Sequence, residues 1–320
     1  MMRFIKMLLV VLFLGGLGLY YFVYVESPKA TEYFIRFERD AAKLSRKEIV
    51  LPDGLHFVYL EGGKGDPLVL LHGFGADKDH FTRIAKFLTP HFHVIIPDLI
   101  GFGESTHLTN VDISARVDYS ARAQAERVRA LVHALDLKSV HLAGNSMGGQ
   151  IALAYAAAHP AEVDSLWLLS PAGIWSAPQS ELAKIVEAQQ HNILLIRNVD
   201  DYAHAFDFVM SKPPLIPRPI LNVLAQDSIK NEKLSEQIFT QITKDSLEQR
   251  IAGLKTPALI VWGNQDRVIN PLTAEILYKL MPRSRVIIMN GIGHIPMLER
   301  PEQCADDYLY FRFKLQAPEK

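Results

Sequence analysis

The chain has 320 residues, 49% of them hydrophobic and 22% charged, which is ample material for a buried core and shows no compositional sign of disorder. Its 34 basic and 35 acidic side chains leave a net charge of -1, which excludes the broad positive field that holds a polyanion such as nucleic acid. The single cysteine, Cys304, excludes an internal disulfide framework and any paired-cysteine metal or redox site; packing is its expected role.

Residues 7–25 are 19 consecutive positions without a charge or a strongly polar side chain. As a helix this run spans about 28 Å, close to the thickness of a bilayer's hydrocarbon core. Arg3 and Lys6 precede it, Tyr20, Tyr21 and Tyr24 sit near its far end, and Glu26 follows, the pattern of a basic-inside anchor with interfacial aromatics. Residues 1–26 are therefore expected to anchor the chain in a membrane and leave the remainder on the non-cytoplasmic, periplasmic side. The alternative is a cleaved signal with its apolar core at 7–14 and a secreted product. Apolar residues continue past Gly15, Gly16 and Gly18, which favours retention. Ser27-Pro28 then opens a helix in which Phe34, Phe37, Ala41 and Leu44 recur at helical spacing. This stalk, residues 27–45, either lies along the bilayer or packs on the following domain.

From residue 46 the pattern changes to strands. Runs at 48–51 and 55–60 flank Pro52-Asp53-Gly54 as a hairpin, and near-continuous apolar runs follow at 68–71, 93–96, 140–143, 166–169, 258–262 and 285–289. Such runs suit parallel strands covered on both faces. Helices are expected over 77–88, 121–135, 147–158, 273–280 and 303–313, and this alternation implies a doubly wound, mostly parallel α/β sheet. The alternation breaks over residues 171–250, which read as helices and turns punctuated by Pro213, Pro214, Pro217 and Pro219. That stretch is expected to be a helical cap inserted into a catalytic domain made of 46–170 and 251–320.

Gly144-Asn145-Ser146-Met147-Gly148-Gly149 falls between a strand and a helix. A sharp turn there holds a serine hydroxyl exposed above the strand ends, and the glycines let strand and helix approach closely. A serine hydroxyl needs a base, and the base an orienting carboxylate. His294, in Gly291-Ile292-Gly293-His294 after the last strand, is the only one of the 12 histidines beyond residue 204. Asp266 ends Trp262-Gly263-Asn264-Gln265-Asp266 after the strand before it, whereas the other usual place for the acid reads Ser170-Pro171-Ala172. The order Ser146, Asp266, His294 makes these the candidate catalytic residues. Two backbone N–H groups should stabilise an oxyanion, those of Met147 and of Phe74 in His72-Gly73-Phe74-Gly75. His72 and Asp98 are assigned structural roles. His91 and His93 alternate on one strand without a third ligand, so neither a metal nor a cofactor is expected.

With these residues in hand, the chain resembles the α/β-hydrolase superfamily over about residues 46–320, and looks closest to membrane-associated bacterial lipases and monoacylglycerol lipases. The resemblance rests on 72–75, 98–105, 144–149, 261–266 and Gly293-His294-Ile295-Pro296-Met297. It implies hydrolysis of carboxylic esters, with an acylglycerol as substrate and the membrane reached through the N-terminal helix. Ile174, Trp175, Phe206, Phe208, Val209, Met210, Leu215, Ile216 and Ile220 give the cap apolar surface, suited to acyl chains or to the cap's own packing. Carbon–carbon hydrolases of ring-cleavage products share the Asn-Ser-Met elbow, but Ala76 and Ile295 depart from their pattern. A non-catalytic lipid-binding protein on the same fold is the other alternative.

Overall fold

The computed structural model describes residues 2–105 and 117–316. Residues 1, 106–116 and 317–320, which fall within the expected anchor and catalytic segments, lie outside the described residues, as does the Arg3 side chain. Eight strands form one sheet in the order β1-β2-β4-β3-β5-β6-β7-β8. They are β1 (Ser45–Val50), β2 (His56–Gly62), β3 (Asp66–Leu71), β4 (Phe92–Pro97), β5 (Val140–Asn145), β6 (Val163–Leu169), β7 (Ala258–Gly263) and β8 (Ser284–Met289). β2 pairs antiparallel with β1 and β4, and every other pairing is parallel. β1 starts earlier than its apolar run because Ser45 and Arg46 pair with Glu61 and Leu60 on an exposed edge, while Leu51 enters the turn, its N–H bonded to the Leu55 carbonyl at 2.8 Å.

Helices α1 (Met2–Tyr24) and α2 (Ser27–Ala41) precede the sheet, and α3 (Thr82–Leu88), α4 (Ala121–Ala134) and α5 (Met147–Ala158) connect its first parallel strands. Between β6 and β7 come α6 (Glu181–Gln189), α7 (Val199–Val209), α8 (Arg218–Lys230), α9 (Glu232–Ile242) and α10 (Glu248–Ile251). The chain ends in α11 (Thr273–Leu280), α12 (Pro296–Glu299) and α13 (Pro301–Gln316). The helix expected over 77–88 is divided: a 3-10 turn at Lys78–Phe81 precedes α3, because Asp77 accepts the Asp79 N–H at 2.9 Å and Asp98 takes the Lys78 N–H at 2.8 Å.

Successive residues of each central strand enter opposite layers, which is why both parities are apolar. Val69, Leu71, Leu142, Leu166, Leu168 and Ile260 pack under α4, α5 and α11. Leu68, Leu70, Trp167, Leu169 and Val261 face α3 and α13 on the other side. There the Trp167 and Tyr308 rings stack with centroids 4.4 Å apart. Cys304 is buried in this layer, its thiol 3.6 Å from Met289 Sδ.

The two N-terminal helices do not float free of the rest. Phe22 and Val23 at the end of α1 and Ala30 of α2 cluster with Ile216, Ile220 and Leu224 around α8. Arg39 forms a two-pronged pair with Asp79, both contacts at 2.6 Å, and Glu38 binds Arg83 at 2.7 Å. α2 thus packs on α3 and α8 with one face and leaves Tyr33, Phe34 and Phe37 exposed on the other.

The indole N–H of Trp167 is buried without a hydrogen-bond partner, so its contribution comes from ring packing. Trp167→Ala is expected to cost about 3–5 kcal/mol in urea denaturation of the detergent-solubilised protein. Trp167→Phe should cost much less, since it keeps a ring against Tyr308 and removes an unsatisfied donor.

Candidate active site

Ser146 stands between β5 and α5 with φ 54° and ψ -117°, a conformation that costs a residue with a side chain about 1–3 kcal/mol. The neighbouring backbone holds it there. Its N–H is donated to the Leu169 carbonyl at 3.1 Å, and its carbonyl accepts the N–H groups of Gln150 and Ala172, each at 3.0 Å. Close approach explains Gly148: a Cβ there would sit 2.6 Å from the His72 carbonyl oxygen and closer still to Leu71, so only glycine lets α5 meet the end of β3.

Asp266 and His294 meet in a buried pair, with His294 Nδ1 2.8 Å from Asp266 Oδ2. The same carboxylate oxygen accepts the Trp262 indole N–H at 2.9 Å, and Oδ1 accepts the N–H groups of Val268 at 2.8 Å and Ile269 at 3.0 Å. Four donors therefore compensate one buried charge, and with Nδ1–H donated to it the imidazole keeps Nε2 as its proton acceptor. Ser146 and His294 line the same cavity, without a hydrogen bond between hydroxyl and ring among the described residues. Such contacts commonly tighten only once substrate is bound.

The loop after β3 lies directly against the nucleophile candidate, since a Cβ on Gly73 would be 3.4 Å from Ser146 Cβ. Neither the Phe74 nor the Met147 N–H has an intramolecular acceptor among the described residues, as free oxyanion donors require. The Phe74 ring is fixed edge-on between Phe102 and Phe239. His72 is a brace: its Nδ1 donates to the Gly73 carbonyl at 2.8 Å and its Nε2 accepts the Leu99 N–H at 3.0 Å. Asp98 is also a brace, binding the Lys78 ammonium and the N–H groups of Lys78 and Glu104, all at 2.8 Å. His93 is paired with Glu61 at 2.6 Å, and no group of three or more His, Cys, Asp or Glu suited to a metal occurs among the described residues.

Several supporting residues carry no signal of their own in the sequence. The Asn145 side-chain amide donates to the carbonyls of Leu169 at 2.9 Å and His294 at 3.0 Å, tying the elbow to the loop that carries the imidazole. The His294 N–H is donated to the Val209 carbonyl at the end of α7, at 2.8 Å. Glu299 accepts the Gly293 N–H at 2.8 Å with one oxygen and the Ser211 N–H at 2.9 Å with the other. A Cβ on Gly293 would lie 2.8 Å from the Val209 carbonyl oxygen, so this glycine is needed because the helical insertion passes so close. Trp262, bonded to Asp266, precedes it by four residues and was legible only as part of a strand.

Two cavities meet at Ser146 and share Phe74 and Leu194. One, of about 120 Å3, runs past His294 under α7; the other, of about 440 Å3, is walled by Trp175, Leu182, Val186, Ile242, Val268 and Ile269. The sequence matches the α/β-hydrolase fold family over residues 66–301. The chain belongs to that family. Among relatives of this α/β hydrolase, Lipase 1 of Psychrobacter immobilis is 44% identical over 90% of both chains. A monoacylglycerol lipase of Homo sapiens is 31% identical over 76% of this chain and 74% of its own. The crystal structure of a bacterial membrane phospholipase A superposes with a TM-score of 0.85 at 37% identity, covering 99% of each chain.

Burial pushes His72 down to about 4 from its ordinary 6.5, so the native state binds fewer protons than the unfolded chain between those values. Its contribution to stability is therefore complete above pH 6.5 and declines as the pH falls, on the order of 3 kcal/mol by about pH 4. Urea midpoints measured across this window should fall more steeply with acid for the native enzyme than for His72→Gln; parallel curves would show that His72 does not titrate there.

Proposed function

We propose that the protein is a membrane-anchored lipid esterase in which Ser146, Asp266 and His294 act as a catalytic triad. The observation that carries this reading is the buried Asp266–His294 pair, 2.8 Å across, whose imidazole lines the cavity that holds the strained Ser146. The 44% identity to a named lipase over most of the chain supports a lipid ester as substrate. His294 Nε2 takes the Ser146 proton as Oγ attacks the ester carbonyl, and Asp266 stabilises the imidazolium. The N–H groups of Phe74 and Met147 hold the tetrahedral oxyanion. The carbon–oxygen bond then breaks, His294 protonates the departing alcohol, and water activated by the same histidine releases the carboxylic acid.

In this reading residues 46–170 and 251–320 form the catalytic domain, and residues 171–250 form a cap whose Trp175, Phe206, Val209 and Met210 line the cavities. Ile174, Phe208 and Ile220 serve packing instead. The wide apolar cavity takes the acyl chain. The anchor is residues 1–26, whose 21-residue apolar stretch Phe4–Tyr24 is long enough to cross a bilayer, and residues 27–45 form the stalk. The catalytic domain faces the periplasm. Ala76 and Ile295 stand where the ring-cleavage hydrolases carry other residues, which favours ester over carbon–carbon bond cleavage.

Ser146→Ala should lower turnover on a long-chain ester by about 10^4-fold or more with thermal unfolding largely unchanged, and Asp266→Asn by about 10^4-fold with a lowered unfolding temperature, because the amide N–H2 faces buried donors; a folded Ser146→Ala enzyme of near-normal rate defeats the mechanism. Protease added to intact spheroplasts should degrade the catalytic domain while deletion of residues 1–26 should release activity from the membrane fraction. Protection of the domain would reverse the proposed orientation.

A further inference from the structure

The two routes leaving Ser146 differ in chemistry. The wide branch is mostly apolar, with Gln179, Glu187 and Thr243 among its lining, whereas the narrow one continues into a third cavity of about 430 Å3 between the 3-10 turn, α2 and α8. Residues common to the narrow cavity and the third one mark the passage between them: Gly75, Ala76, Phe206, Met210 and Leu298 with two polar side chains, His80 and Tyr202. Both polar groups have unused hydrogen-bonding capacity. The Tyr202 phenol has no hydrogen-bond partner among the described residues, and burial raises its pKa, so it remains a neutral hydroxyl. His80 Nδ1 accepts the Asp77 N–H at 3.3 Å in the cap of the 3-10 turn, which puts the ring proton on Nε2, and Nε2 has no partner among the described residues. Both groups border the passage beside Phe206, Met210 and Leu298 and are open to whatever polar group enters it. Ser228 and Asp227 of α8 add further polar surface beyond the passage.

An ester of a polyol has matching ends. With the acyl chain in the wide, mostly apolar branch, the alcohol departs along the narrow one and meets this constriction. We propose that Tyr202 and His80 form a subsite for the free hydroxyl groups of the leaving alcohol, so that the enzyme prefers glycerol esters to simple alkyl esters of the same acid. The proposal rests on Ser146 being the nucleophile. His80 Nε2–H donates to a glycerol hydroxyl oxygen, and the Tyr202 hydroxyl donates to or accepts from its neighbour. The recognised chemistry is the polyol, which monoacylglycerols and lysophospholipids share.

The test uses full-length, detergent-solubilised enzyme and three laurate esters: monolauroylglycerol, methyl laurate and lauroyl lysophosphatidylcholine. The readout is the ratio of kcat/KM for monolauroylglycerol to that for methyl laurate, which does not depend on how much of a variant is folded. Tyr202→Phe and His80→Gln should each lower this ratio about 3- to 10-fold, the worth of one hydrogen bond. An unchanged ratio, with both rates falling together or neither falling, overturns the subsite. A loss confined to the lysophospholipid overturns the polyol assignment in favour of phosphate recognition. Failure of the underlying reading is distinguishable, because Ser146→Ala would then retain activity on all three esters.

Discussion

The left-handed backbone of Ser146 is the constraint from which the site follows. A strain of about 1–3 kcal/mol is sustained because three hydrogen bonds, each worth about 1 kcal/mol net, connect the serine to Leu169, Gln150 and Ala172. Those partners belong to β6, α5 and the segment leaving β6, so the hydroxyl is aimed by the sheet rather than by its own loop. The same turn brings Met147 to the start of α5 with an unused N–H and sets Asn145 where its amide can reach the His294 carbonyl. One sharp turn thus places the proposed nucleophile, one proposed oxyanion donor and a brace on the His294 loop.

The electrostatics of the site depend on a second economy. The Asp266 side chain is fully buried, where a carboxylate without hydrogen-bond donors is costly. Its donors come from three directions: the indole of the preceding strand β7, two backbone N–H groups of its own turn, and the imidazole from the loop after β8. The turn residues supply their N–H groups whatever side chains they carry. Only Trp262 and His294 contribute through side chains, so the chemistry of this corner is concentrated in very few positions.

Much of this was readable from the sequence, and the exceptions share a physical reason. The central strands announced themselves because burial on both faces removes polar residues from every position, while β1, exposed along its edge, begins with Ser45 and Arg46 and looks like loop. Ser146 had a local motif, His294 stood alone in the last third of the chain, and Asp266 fell at a strand end. Asn145, Val209 and Glu299 were not legible, since their roles depend on backbone groups brought from far along the chain; Asn145 and His294 are 149 residues apart. The apolar residues of the insertion were ambiguous for a related reason. Phe206 and Phe208 are separated by one residue, yet one lines the catalytic cavity and the other packs beside Leu182 and Val268. Composition cannot distinguish a wall from a core.

The bonds from Val209 to the His294 N–H and from Glu299 to both Gly293 and Ser211 make the imidazole loop and the helical insertion one mechanical unit. The direction in which the imidazole points is therefore set as much by where α7 sits as by the loop that carries it, because the Val209 carbonyl at the end of that helix holds the His294 N–H.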